Sequence, residues 1–185
     1  TPNQPLMGGR NEDALIAHTF AKYLETGDDS WPLLLPMVKG AMRAMDTVQA
    51  VMKQEYKQSI KKFVVTGASK RGWTTWLTGA MDSRVSAIAP MVIDVLNMKE
   101  QMPQQVRCWS DYSGQIDDYT KLKLPQRLAE DSSKALLKLV DPYLFRDRLT
   151  LPKLIILGTN DAYWPVDAIN LYYKDLKGTN HVHYV

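Results

Sequence analysis

The chain has 185 residues, carries 23 Lys and Arg against 20 Asp and Glu for a net charge of +3, and is 45% apolar. That length suits one domain of the common ~100–200-residue size, and that composition excludes a disordered or low-complexity chain. The densest cationic runs, Lys57 to Lys62 and Lys121 to Lys123, lack interleaved aromatics, so they read as solvated faces and no nucleic-acid partner is expected. No apolar run approaches the ~20 residues that span a bilayer. The single cysteine, Cys108, excludes an internal disulfide framework and a cysteine zinc site, and is expected to be a packed thiol. The opening Thr1-Pro2-Asn3-Gln4-Pro5 lacks Met, so an upstream segment is expected.

In chain order, residues 1–10 read as a loop. Glu12 to Thr26 is a helix on its Leu15, Ala17, Phe20, Ala21 and Leu24 spacing, stopped by Gly27. A second helix runs from Leu33 to about Tyr56, with the stripe Leu34, Val38, Met42, Met45, Val48 and Met52 expected to be core. Phe63 to Thr66 is a buried strand and Trp73 to Met81 a helix. Val85 to Ile93 is a second strand whose unbroken apolar run suggests cover on both faces. From Leu96 to Thr150 the periodicity weakens into helical pieces at 98–106, 124–139 and 142–145, an insertion that would lie over a site as a cap. Leu154 to Leu157 is a third strand, Pro165 to Leu176 a helix, and His181 to Val185 a fourth strand. This alternation predicts an α/β chain with a mostly parallel sheet and helices on both faces. Because the first strand comes only after two helices, residues 1–185 read as a partial domain whose first strands and last loop lie outside the chain.

The stretch Phe63-Val64-Val65-Thr66-Gly67-Ala68-Ser69-Lys70-Arg71-Gly72-Trp73 carries the chemistry. A strand, a sharp turn with serine at its tip and an immediate helix is the context in which a nucleophilic serine stands above a parallel sheet. The usual Gly-x-Ser-x-Gly is here Gly-x-Ser-x-x-Gly, with Arg71 at the usual second glycine. A dinucleotide loop of the form Thr-Gly-x-x-x-Gly-x-Gly also begins this way, but it needs glycine at 71 and 73, where Arg71 and Trp73 would block the pyrophosphate. Tyr119-x-x-x-Lys123 is then a chance match to the dehydrogenase Tyr-x-x-x-Lys pair.

A serine nucleophile needs a base and an acid that orients the base. Asp161, in Gly158-Thr159-Asn160-Asp161 after the third strand, is the expected acid, against the bland reading of a turn carboxylate before the next helix. Asp94, just past the second strand, is the reserve. His181 and His183 lie on one face of a strand and read as buried or edge imidazoles, and His18 as a helix packing residue, so the base is expected beyond Val185. The Lys70 N–H is the expected oxyanion donor. The ammonium of Lys70 or the guanidinium of Arg71 could offset charge there or meet an acidic substrate group, although a solvated helix-turn cation explains Arg71 equally. Arg71, Trp73 and Trp164 are candidate substrate contacts.

Several runs together resemble the PhoPQ-activated pathogenicity-related protein family: Arg10-Asn11-Glu12-Asp13-Ala14-Leu15-Ile16-Ala17, Trp31-Pro32-Leu33 with Pro36-Met37-Val38-Lys39, Gly67 to Thr74, and Gly158 to Asp161 with Tyr163-Trp164-Pro165. The resemblance implies the C-terminal part of an α/β-hydrolase fold in a secreted or periplasmic protein, with a base on a Gly-His loop after the last strand and a second oxyanion donor from an earlier loop. The Ser-Lys/Arg-x-Gly turn is also locally similar to glucuronoyl and acetylxylan esterases. The function expected is a serine hydrolase acting on an ester or amide, with no metal or organic cofactor and an undefined small-molecule or peptide substrate. The alternative is a secreted regulatory or binding protein that uses the same scaffold to contact a protein partner.

Overall fold

The computed structural model describes residues 3–185. Its centre is one sheet of four parallel strands in the order β1 (Phe63–Ala68), β2 (Val85–Met91), β3 (Lys153–Leu157) and β4 (Asn180–Tyr184). Parallel neighbours need long crossovers. The first is α3 (Lys70–Met81), which packs on both β1 and β2; the second is the whole of residues 92–152. The class is α/β, as the alternation predicted.

Within the described residues the helices lie on one face of this sheet rather than on both. Ile88, Ile155 and Leu157 are buried on that face. On the other face Val64 is 68% and Leu154 42% exposed, and Thr66, Ala68, His181 and His183 are exposed beside them. Both histidines therefore sit on the open side of an edge strand.

The helices α1 (Glu12–Thr26) and α2 (Leu34–Tyr56) complete the core, with Ile16, Phe20 and Leu34 fully buried. Gly27 ends α1 in the left-handed region at φ 70, its N–H donating to the Tyr23 carbonyl at 2.7 Å. The α2 stripe is buried at Leu34, Val38 and Met45, but Val48 is exposed. Arg84 ties α2 to the turn before β2: its guanidinium donates to Asp46 and Gln49, both at 2.7 Å, and to Asp82 at 2.6 Å.

The cap is built from α4 (Met98–Trp109), α5 (Asp117–Thr120), α6 (Leu124–Ala129) and α7 (Lys134–Val140), joined by short 3₁₀ turns. The single helix expected over 124–139 breaks at Glu130, whose φ −77 and ψ 154 are extended. Buried Asp141 anchors α4, accepting from the Asn97, Met98 and Tyr143 N–H groups at 3.1, 2.9 and 2.9 Å. A carboxylate at that helix N-terminus satisfies donors the helix leaves free. Cys108 is exposed on α4 rather than packed, because it falls on the outer face beside Gln104 and Asp167.

The helix expected over 165–176 is two 3₁₀ turns, Ala168–Leu171 and Tyr173–Asp175. Tyr172, at φ −144, interrupts it, and this swings a fully buried phenol inward to Asp94. Among the described residues no helix is long and apolar enough to cross a membrane.

Gly72 sets how closely α3 approaches the sheet. A Cβ there would lie 2.6 Å from the Ile93 Cγ2 and 2.9 Å from the Gly67 and Met91 carbonyl oxygens. Gly72→Ala should therefore cost ~1–3 kcal/mol, read as a lowered midpoint in urea unfolding with an unchanged slope.

Candidate active site

The turn between β1 and α3 consists of Ser69 alone, at φ 53 and ψ −127. A non-glycine residue in that region costs ~1–3 kcal/mol and persists only where its surroundings fix it. The fixing contacts are visible. The Ser69 N–H donates to the Met91 carbonyl at 2.9 Å, and the Ser69 carbonyl accepts from Trp73 N–H at 3.0 Å. A Cβ on Gly67 would lie 2.7 Å from the Arg71 carbonyl carbon and oxygen, so only glycine lets the helix start this near the strand. A second strained residue, Val92 at φ 45, stands at the end of β2, its N–H held by the Ile156 carbonyl at 2.8 Å.

Because the turn is so short, Lys70 opens α3. Its backbone N–H meets no protein acceptor among the described residues, as expected of a first-turn donor, and points as part of a positive helix end. Its side chain is committed elsewhere. The ammonium is 3.0 Å from Glu12 and 2.9 Å from Asp13, with 11% of the side chain exposed. Burial works against the Lys70 charge, but the Asp13 and Glu12 carboxylates outweigh it and hold the pKa above the ordinary lysine value. Arg71 forms a two-pronged pair with Glu12 at 3.1 and 2.9 Å and also meets Asn3, and it pulls the Glu12 carboxyl below its usual range. Thus both cations that follow Ser69 are fastened to the start of α1.

Beneath Ser69 lies a cavity of about 70 Å³ at the carboxyl ends of the strands, the usual ligand position in an open α/β sheet. Trp73 and Trp164 both line it, whereas Arg71 does not. Trp73 is 4% exposed, its indole N–H donating to the Val140 carbonyl at 2.6 Å and its ring meeting Phe20 edge-on. The far wall is the cap, with Met98, Gln101, Met102 and Tyr119. The Tyr119 hydroxyl donates to Asp13 at 3.0 Å, and burial followed by that neighbouring charge pushes its pKa well up. Asp13 and Gln101 were not singled out from sequence, and Tyr119 was noted there only as a chance Tyr-x-x-x-Lys match. Only Gln101 left a signal, as a polar residue three after Met98 on one face of α4.

The two acid candidates differ sharply. Asp161, in the loop after β3, accepts from the Tyr163 N–H at 2.7 Å and lines a separate depression with Trp109, Tyr112 and Ser113. Asp94, after β2, is 4% exposed and accepts from the Tyr172 hydroxyl at 2.5 Å. Burial, reinforced by the charge of Asp161, lifts the Asp94 pKa to about 7. No hydrogen bond joins Ser69 to either acid among the described residues, and none of the three histidines lines the Ser69 cavity. His18 packs edge-on against Trp31, and burial lowers its pKa.

Comparison with known proteins gives this geometry a context. The chain is 36% identical over 188 residues to autocrine proliferation repressor protein A of Dictyostelium discoideum, covering 98% of this chain and 38% of that protein. It superposes on an acetyl xylan esterase from Paenibacillus sp. R4 with a TM-score of 0.57 at 18% identity, over 80% of this chain and 45% of the esterase. An acylaminoacyl peptidase from Pyrococcus horikoshii superposes with a TM-score of 0.52 at 14% identity, over 77% of this chain and 22% of the peptidase. The chain thus spans less than half the length of these relatives, and its fold is that of α/β-hydrolase esterases and peptidases. The profile of the PhoPQ-activated pathogenicity-related proteins matches residues 1–185, and the chain belongs to that family.

Proposed function

We propose that the chain carries the nucleophile of a serine hydrolase that cleaves an ester or amide through an acyl-enzyme on Ser69. The supporting observation is the strained Ser69 turn, which opens on a largely apolar cavity beside a free helix N–H. In this reading Ser69 Oγ bonds to the carbonyl carbon as its proton passes to a base. The carbonyl π pair moves to oxygen, which accepts from the Lys70 N–H. The bond to the leaving group then breaks, the leaving oxygen or nitrogen takes the proton from the base, and water repeats the sequence to free the acid. Trp73 and Trp164 would contact the acyl group.

Asp161 is the orienting acid in this scheme, and the base is an imidazole supplied by chain following β4. The Val185 N–H donates to Leu157 and the Val185 carbonyl accepts from Thr159, both at 2.9 Å, so β4 ends alongside the loop that carries Asp161. A second reading rests on the name of the Dictyostelium relative, an autocrine proliferation repressor. In it the same scaffold acts outside the cell by binding a protein partner, without turnover. Secretion belongs to both readings.

The two readings separate on one measurement. A fluorophosphonate probe should label the full-length protein and not Ser69→Ala; a protein that stays unlabelled while regulating a partner supports the second reading.

The acids separate on two. Asp161→Asn should lower kcat by about 10⁴-fold with little change in stability. Asp94→Asn should act mainly on stability. A carboxyl whose folded pKa is raised to about 7 holds its proton in the native state, so its stabilisation is full below the unfolded value and is lost as pH rises towards 7. Asp94→Asn should therefore gain on wild type as pH rises from about 4 to about 7 and keep that gain above it, in paired urea unfolding curves. A kcat collapse in Asp94→Asn with normal turnover in Asp161→Asn would move the acid to β2.

A further inference from the structure

The cap helix α4 turns two glutamines into the protein, and both are fully buried. Gln105 is satisfied at both ends: its Nε2 donates to the Tyr163 carbonyl at 2.9 Å and its Oε1 accepts from the Ser113 N–H at 3.0 Å. Gln101, one turn earlier, is satisfied at one end only. Its Nε2 donates to the Leu96 carbonyl at 2.9 Å and the Ala168 carbonyl at 3.3 Å, while its Oε1 has no partner among the described residues. Flipping the amide would set its oxygen against two carbonyl oxygens, so the orientation is dictated by the neighbours. Burying an acceptor without a donor costs about 1–3 kcal/mol, and such an atom calls for an explanation. Gln101 also lines the Ser69 cavity, whose other cap-side walls are apolar at Met98, Met102 and Leu128.

We propose that Gln101 Oε1 is a specificity contact that accepts a hydrogen bond from a hydroxyl or N–H carried on the acyl group of the substrate. This rests on reading the cavity as the acyl pocket of Ser69. The size fits a short group. At about 70 Å³ the cavity is small, with room for a compact acyl group rather than a long chain. The preferred substrate class is therefore a short hydroxyacyl or aminoacyl ester or amide, and a plain alkyl acyl group of equal size is disfavoured because it leaves Oε1 unpaired. A pocket built to bond a polar group rejects the analogue that lacks it far more strongly than a hydrophobic pocket rejects a missing methylene.

Binding tests this without needing turnover. The full-length protein carrying Ser69→Ala and ¹³C-methyl methionine is titrated with methyl lactate and with methyl isobutyrate, which swaps the hydroxyl for a methyl of similar size. Met98 and Met102 report the cavity. The lactate ester should shift their methyl signals at a concentration at least about tenfold lower. Adding Gln101→Met should erase the difference while keeping the side-chain volume. Equal midpoints with Gln101 in place, or no shift with either ester, would overturn the inference. Fluorophosphonate labelling is read separately: a labelled protein with no ligand preference sinks only the role of Gln101, and an unlabelled one with the preference sinks only the hydrolase reading.

Discussion

The site depends on a steric constraint, namely that a parallel strand must become a helix within one residue. Ser69 takes a left-handed conformation to do so, and the neighbouring backbones come so close that Cβ atoms at 67 and 72 would sit 2.6 to 2.9 Å from their neighbours. Two glycines and one strained serine thereby lift the hydroxyl above the sheet and aim the positive end of α3 at the same space. Val92 repeats the strain one strand over. Strain stored in two adjacent strand ends is expected where geometry serves chemistry rather than stability.

Around that turn the electrostatics are local and internal. Lys70 and Arg71 follow the serine, but their charges are met by Asp13 and Glu12 at the start of α1. An isolated buried ammonium would be costly, and two carboxylates plus the Tyr119 hydroxyl make the group tolerable. Lys70 thus lines the cavity at the first turn of α3 while its side chain serves as a structural fastener. The cavity is left apolar apart from a few placed polar atoms, the composition of a small-molecule site.

How much of this was legible in the sequence follows from where each constraint is written. The strand–Ser69–helix turn was readable because its sterics demand glycine at fixed offsets, and the parallel strands because apolar runs mark them. The strand ends shifted where the backbone bends sharply, as at Val92, since no residue type announces a strained valine. The 165–176 segment looked helical by spacing, but Tyr172 left the helix to reach Asp94, a tertiary contact outside any local window. The Tyr119-x-x-x-Lys123 spacing, read from sequence as a chance match, forms no pair among the described residues: the Tyr119 hydroxyl goes to Asp13, while Lys123 merely precedes α6 at φ 53. The cavity wall was least legible, because it is assembled from a cap whose pieces are short and whose order follows anchors such as Asp141.

The fastening of Lys70 to α1 has a consequence for motion. Asp13 holds the residue after Ser69 on one side and the cap residue Tyr119 on the other. The Ser69 turn, the first turn of α1 and the cap residue Tyr119 therefore share one carboxylate, which couples their positions. Asp13 is in that sense a shared electrostatic clasp in the cavity wall. Lys70 also keeps Glu12 as a partner whereas Tyr119 is tied by one hydrogen bond, so the Tyr119 side is the cheaper one to release and its amide hydrogens should exchange ahead of those of the Ser69 turn.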